Sequence, residues 1–141
     1  MNFDQARPFL ESHHWGIVTT HQRDGAAQNS IVYCGAYRDQ AVFVAVYGKS
    51  AKVRNLRRDP RCTVLAVAKD WRSWVTVEGV AQLFDYGNTE AEEMRVLFRE
   101  MFNACGDHEH PDWEDYDRAM VDQGAVGVLV KPQRVYGLLR N

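Results

Sequence analysis

Apolar and polar positions alternate over much of this chain, and the alternation predicts six β-strands. The strand-like segments are rich in Val, Ile and Thr and lie at 15–20, 28–36, 41–47, 62–68, 73–84 and 126–139. Asp24-Gly25 favours a hairpin between the first two strands. Gly79 indicates a bulge or bend in the fifth strand, and Pro132 is expected to break the last one.

Four further segments have helical periodicity or composition and lie at 4–13, 51–58, 89–103 and 113–122. Thr89, followed by acidic residues, is typical of a helix N-cap. Asp59-Pro60 ends the second helix, because the residue before a proline avoids helical backbone angles. The strands are not separated by regular crossover helices, and the sequence contains no GxGxxG or P-loop motif. We therefore predict a mainly β (α+β) fold, a closed antiparallel barrel with helices outside.

The composition is that of one globular domain over residues 1–141, with 45% hydrophobic and 26% charged residues. A net charge of -2 gives no general attraction to nucleic acid. No apolar run reaches the roughly 20 residues that a membrane span needs, and the N-terminus lacks a signal-peptide pattern. Cys34, Cys62 and Cys105 are odd in number and widely spaced, which favours reduced thiols in a cytoplasmic protein.

The strongest chemical signal is the basic segment, residues 49–61, which holds six of the chain's 17 lysines and arginines. It contains the predicted second helix, and a helix N-terminus attracts anions through its free N–H groups and its dipole. Ser50 and Lys52 lie at that end, with Asn55 close by. A phosphate site there and an ordinary solvated basic face both fit the pattern. Further along, one helix face carries Arg54, Arg57 and Arg58.

Other candidate groups give weaker signals. His108-x-His110 lies in an acidic stretch, but no HExxH motif or suitably spaced cysteine accompanies it, so we predict an exposed loop and no metal. Trp71 and Trp74 flank the start of the fifth strand and are candidates for stacking on a flat ring, whereas the other tryptophans are assigned to packing. No nucleophile or acid–base set stands out, so the catalytic residues are unknown. The chain suits an enzyme whose chemistry resides in a bound cofactor, or a ligand carrier.

Several motifs spread over nearly the whole chain resemble one family. They are Gly16-Ile-Val-Thr-Thr20, Asp24-Gly25, the stretch from Lys52 to Arg61 (KVRNLRRDPR), Val77-Glu-Gly79, Asp112-Trp-Glu-Asp-Tyr116 with Ala119-Met120, and Val135-Tyr-Gly137. This set resembles the flavin and deazaflavin oxidoreductase superfamily, related to pyridoxamine 5′-phosphate oxidase. The last two motifs more narrowly resemble the actinobacterial branch that uses the deazaflavin coenzyme F-420. The resemblance implies a six-stranded antiparallel split β-barrel that forms a homodimer, with the cofactor at the subunit interface.

The resemblance also implies a cofactor site. Its phosphate would bind Ser50, Lys52 and Asn55, and its ring would lie along the predicted second strand and the end of the third. The implied cofactor-binding residues are Gln28, Asn29, Ser30, Val32, Val46, Tyr47, Lys49, Ser50, Lys52, Asn55 and Trp74. Relatives often carry arginine where this chain has Ser50, and Lys49 is the neighbouring cation that would substitute for it. Candidate proton donors or ring-stacking groups are Tyr33, Tyr47 and Trp74.

The function implied by the resemblance is that of a deazaflavin-dependent reductase, which transfers a hydride to an electron-poor double bond of a small organic substrate. Because the reactive ring atom of a deazaflavin is carbon, exchange of single electrons with oxygen is poor and oxidase activity is not expected. Arg54 and Arg57 favour this reading, since they could reach the polyglutamate tail of coenzyme F-420. Two alternatives stay open: an FMN-binding flavoprotein resembling pyridoxamine phosphate oxidase, and a non-catalytic carrier of a cofactor or another flat, tetrapyrrole-like ligand.

Overall fold

Six antiparallel strands close into one barrel in the computed structural model, which describes residues 1–140. The strands are β1 (Trp15–His21), β2 (Ala27–Tyr37), β3 (Gln40–Ala45), β4 (Arg61–Val67), β5 (Trp74–Phe84) and β6 (Val126–Leu138). The helices are α1 (Phe3–Ser12), α2 (Ala51–Arg58), α3 (Ala91–Ala104) and α4 (Trp113–Asp122). Around the barrel the strand order is β1-β2-β3-β6-β5-β4. The predicted split-barrel fold with flanking helices is confirmed.

The barrel interior is the main hydrophobic core, because alternate residues of each strand point inward. On β4, for example, Cys62, Val64 and Ala66 are buried while their neighbours are partly exposed. The same cluster includes Leu10 from α1 and Val53 from α2. These two helices therefore pack directly onto the barrel core, which fixes the position of the α2 N-terminus.

Helices α3 and α4 form a second core on the outside of the barrel. Their apolar faces pack on outward-pointing residues of β3 and β6, among them Val42 and Leu129. The Tyr116 hydroxyl of α4 donates a 2.9 Å hydrogen bond to the backbone carbonyl of Phe98 in α3. The two helices are thereby joined to each other and to one side of the barrel. Within residues 1–140, no helix combines the length and apolar character needed to cross a bilayer.

Two predicted features differ from the structure and one is confirmed. The N-cap of α3 is Glu90, whose carboxylate accepts hydrogen bonds from two backbone N–H groups of the first turn; Thr89 instead donates to the Asn88 side chain. The predicted break at Pro132 is wrong, since β6 runs through it. Pro132 lies opposite Gly79, where the β5–β6 register shifts, so the proline is accommodated at a bulge. The predicted bulge at Gly79 is confirmed.

Candidate functional site

A split between β2 and β3 creates the main cleft of the barrel. The two strands pair only from Cys34 opposite Phe43 to Tyr37 opposite Gln40. The preceding part of β2, residues 27–33, pairs with β1 on its other side. β3 ends at Ala45, two residues earlier than predicted, so Val46 and Tyr47 belong to the connection that leads into α2. The strands therefore part at the place where the chain turns toward the basic segment.

The cleft at this split has a volume of about 980 Å³, a size suited to a cofactor or another small organic ligand. Tyr33 of β2 lines it, together with Val46 beyond β3 and Trp15 at the start of β1. The opposite wall consists of the end of α3, the following loop and α4, including Tyr116. Apolar and aromatic walls of this kind suit a flat ring.

Histidines line the cleft near the start of β1, and no motif in the sequence predicts them there. His14 is buried, with its Nδ1 2.8 Å from the Cys34 carbonyl oxygen and its Nε2 3.1 Å from an Asp107 carboxylate oxygen. The neighbouring His13 ring stacks on Phe9 with a centroid separation of 4.0 Å. Asp107 lies 93 positions from His14 in sequence, so only the folded chain brings the two side chains together.

The N-terminus of α2 holds two polar side chains that are candidates for binding an anion. Ser50 is the N-cap residue, yet its side chain makes no capping bond, and its buried Oγ has no hydrogen-bond partner among residues 1–140. Lys52 is half-buried and forms no ion pair with any residue of the described chain. Burial lowers the pKa of Lys52 from its ordinary value of 10.5, because desolvation disfavours the charged amine. An anion held by both side chains would satisfy the hydroxyl and the charge.

Half of the basic segment has a structural role instead. Arg57 pairs with Asp85 at 2.8 Å, and Arg61 pairs with Asp59 at 2.7 Å. Arg58 donates to the backbone carbonyl of the last residue of β1. The remaining cations of the segment have no acidic partner within residues 1–140 and are Lys49, Lys52 and Arg54. Three cations of the segment thus have structural partners, and three are left without an acidic partner in the described chain.

The other predicted cofactor residues divide between two faces. Asn55 is buried and donates hydrogen bonds to Thr20 Oγ1 and to Gln28 Oε1, at 3.1 and 2.7 Å, so these side chains tie α2 to the barrel. On β2, strand alternation places Ser30 on the same side as Gln28, with Val32 reaching into the core. Asn55 and Val32 are therefore buried, whereas Gln28 and Ser30 are partly buried.

Two predicted residues lie on outer faces of the sheet. Asn29 projects from the opposite side of β2 and accepts a 2.7 Å hydrogen bond from the Thr19 hydroxyl. Trp74 is on β5, where its ring packs edge-on against Tyr136 with a centroid separation of 6.1 Å. Within one subunit, Trp74 is not part of the cleft wall.

An apolar surface covers the outer face of β1, β2 and β4 next to the cleft. Ile31, which is 82% exposed, lies directly opposite Ile17, and Ile17 lies opposite Leu65 on the next strand. Large exposed side chains that continue this surface are Trp15, Tyr33 and Trp71. A contiguous apolar patch of this kind is typical of a protein–protein interface.

The thiols do not supply reactive groups to the cleft, whereas the acidic loop lines it with Asp107, His108 and His110. All three cysteines are buried, and burial raises the pKa of Cys34 and of Cys62 to about 12, so they stay protonated. His110 packs among the aromatic rings of Phe102, Trp113 and Tyr116. Within residues 1–140, no group of three or more His, Cys, Asp or Glu side chains is arranged to hold a metal.

Comparison with known proteins agrees with this architecture. The family profile of pyridoxamine 5′-phosphate oxidase matches residues 3–138. A conserved hypothetical protein from Mycobacterium tuberculosis superposes with a TM-score of 0.75 at 21% identity, over 97% of this chain and 84% of that one. An F420 reductase superposes with a TM-score of 0.63 at 15% identity, over 92% of this chain and 94% of that one. A heme binding protein from Mycobacterium smegmatis superposes with a TM-score of 0.71 at 21% identity, over 96% of this chain and 53% of that one.

Proposed function

This chain belongs to the pyridoxamine 5′-phosphate oxidase family, and we propose that it is a reductase dependent on the deazaflavin coenzyme F-420. When bound, this cofactor would supply a hydride for an electron-poor double bond of a small organic substrate. The protein's contribution is to hold the ring and the phosphate and to exclude water. The F420 reductase of similar fold supports the choice of cofactor.

One observation supports the proposal: a hydroxyl and an amine without partners in the described chain lie at the α2 N-terminus, a few residues along the chain from a ring-sized cleft. Ser50 and Lys52 offer a hydroxyl and a cation that lack partners within residues 1–140, as a phosphate requires. Only a short connection separates them from Val46 in the cleft wall. A ligand with its phosphate at α2 and its flat ring at the split fits both features. Arg54, which is exposed and has no acidic partner in the described chain, is suited to an acidic tail.

The cleft also suggests how the chain would handle the ring and a proton. Tyr33 lies in the wall and is 70% exposed, and Tyr47, which is 65% exposed, follows Val46. Their hydroxyls are candidates to donate the proton that completes reduction of the substrate after hydride transfer. Trp15 offers an apolar surface that would shield one side of the ring from water.

We further propose that the apolar outer surface of β1, β2 and β4 is the interface of a homodimer. Ile31 is its most exposed large side chain, and the partner subunit would cover the cleft mouth next to it. Changing Ile31→Glu places a charge at this surface, which should yield monomers. Light scattering should give half the mass of the wild-type particle, whereas the exposed Val121→Glu on α4 should leave the mass unchanged. A wild-type monomer would contradict the interface.

Turnover is the test of the reductase. Purified protein is mixed with reduced coenzyme F-420 and a panel of enones and quinones, and oxidation of the cofactor is followed by absorbance. We expect oxidation of the cofactor only when both the protein and an acceptor are present. At low cofactor concentration, the Lys52→Met variant should oxidise the cofactor more slowly than the wild type. Protein that instead purifies yellow with FMN and consumes oxygen would establish the flavoprotein alternative.

A second candidate is a carrier of a tetrapyrrole-like ligand, and the histidines favour it. His13 and His14 line the cleft together with His108 and His110, and imidazole is a common axial ligand of haem iron. The fold likeness to a heme binding protein supports this possibility. Titration with hemin should then give a sharp Soret band that His13→Ala reduces. No spectral change with hemin, together with deazaflavin binding, would exclude the carrier.

A further inference from the structure

Two buried polar atoms border the same short connection. Within residues 1–140, the buried side-chain atoms that lack a hydrogen-bond partner are Ser50 Oγ and Gln123 Oε1. Ser50 ends the connection between β3 and α2, and it belongs to the proposed phosphate site. Gln123 caps the C-terminus of α4, which is remote in sequence. Buried polar groups are paired in nearly all native proteins, so an unpaired amide oxygen calls for a partner from outside the chain.

Backbone contacts place Gln123 beside the middle of this connection. The Gly48 N–H donates a 3.2 Å hydrogen bond to the Gln123 carbonyl oxygen. A side chain at Gly48 would overlap the backbone of Gly124, so the two segments touch directly. Gly48 lies between Val46 in the cleft wall and Ser50 at the anion site. Ala119 and Met120, one turn earlier on α4, also line the cleft.

We propose that Gln123 binds the polyhydroxylated linker that joins the ring of the cofactor to its phosphate. This inference rests on the proposed function, and it applies equally to a deazaflavin and to FMN, since both carry such a linker. With the ring in the cleft and the phosphate at Ser50, the linker passes along Gly48. Its hydroxyl groups can donate hydrogen bonds, and the Gln123 amide oxygen is an acceptor that has no donor within the described chain. Gln123 as a whole is only partly buried.

The test compares ligands that differ only in the linker. Riboflavin carries the hydroxylated chain without phosphate, and lumiflavin has a methyl group in its place; the corresponding pair of 8-hydroxy-5-deazaflavins is used in parallel. Gln123→Leu should weaken binding of the hydroxylated ligand about fivefold to tenfold, the loss of one hydrogen bond. Binding of the methyl analogue should not change. Gln123→Glu keeps an acceptor oxygen and should retain binding close to that of the wild type.

The outcomes separate this inference from the proposed function. If wild-type protein binds these rings and Gln123→Leu weakens both ligands of a pair equally, or neither, the inference is overturned and the cofactor proposal stands. If wild-type protein binds neither these rings nor coenzyme F-420 and FMN, both fail. Because Gln123 caps α4, each variant is first checked by circular dichroism and thermal unfolding. If Gln123→Leu misfolds, Gln123→Glu and Gln123→Ser decide instead. Serine is too short to reach the linker, so Gln123→Ser should weaken binding of the hydroxylated ligand and leave binding of the methyl analogue unchanged.

Discussion

Replacing Lys52 with methionine separates binding of the phosphate from binding of the ring. Lys52 is half-buried beside the unpaired Ser50 hydroxyl, with no competing acid in the described chain. A hydrogen bond between charged groups contributes about 1.5–3 kcal/mol, and about 1.4 kcal/mol corresponds to a tenfold change in affinity. Lys52→Met should therefore weaken a phosphorylated ligand by about 10- to 100-fold and change the affinity of its phosphate-free counterpart little.

The assay is a titration of each protein with FMN and riboflavin, and with coenzyme F-420 and its phosphate-free precursor, followed by fluorescence quenching. The quantity of interest is the ratio of the two dissociation constants within each pair. Lys131→Met, at an exposed lysine of β6, is the matched control and should preserve the ratio. An unchanged ratio in Lys52→Met would refute the phosphate site at α2.

The same substitution should raise the free energy of unfolding at neutral pH. Burial lowers the pKa of Lys52 below 10.5, so the folded protein holds this proton less tightly than the unfolded chain does. The resulting destabilisation is present at neutral pH and disappears as pH rises through 10.5. Urea unfolding should give Lys52→Met a higher free energy of unfolding than the wild type at pH 7, and this difference should be smaller at pH 10. A loss of stability at pH 7 would contradict this assignment.

Three further predictions concern the scaffold and are checked by urea unfolding. Tyr116→Phe removes the buried bond to the Phe98 carbonyl and should cost about 1–3 kcal/mol, while Tyr33→Phe, at an exposed position, should cost little. Gly79→Ala would overlap the Lys131 carbonyl at the bulge and should cost about 1–3 kcal/mol; a neutral result would mean that the bulge relaxes. Arg61 lowers the pKa of Asp59 from 3.8 to about 2, so this pair stabilises the fold above pH 4 and the effect is lost toward pH 2. Asp59→Asn should lose less stability over that interval than the wild type.

Local pattern predicted most of the fold, because strands and helices in this chain bury one regular face each. The second helix was predicted at 51–58 and is observed at Ala51–Arg58. The prediction of a break at Pro132 failed for a non-local reason. Gly79, on another strand, provides the bulge that accommodates the proline, and a single strand read in isolation cannot show its partner.

The site was predictable only in part. Ser50 and Lys52 stand out because a helix N-terminus and local charge are visible in sequence. The cleft depends on contacts across the chain: His14 meets Asp107 at 3.1 Å across 93 positions. Likewise, the role of each arginine in the basic segment depends on a distant acid, as Arg57 and Asp85 show. Periodicity along one segment cannot assign such pairs, because it carries no information about the distant acid.

The central claim is that this chain binds coenzyme F-420 with its phosphate at Ser50 and Lys52. Titration of the apo-protein with oxidised coenzyme F-420 and, separately, with FMN tests it most directly, with tryptophan fluorescence as the signal. We predict saturable binding of coenzyme F-420 that is tighter than that of FMN and is weakened by Lys52→Met. Tighter binding of FMN, or binding of neither cofactor, would contradict the claim.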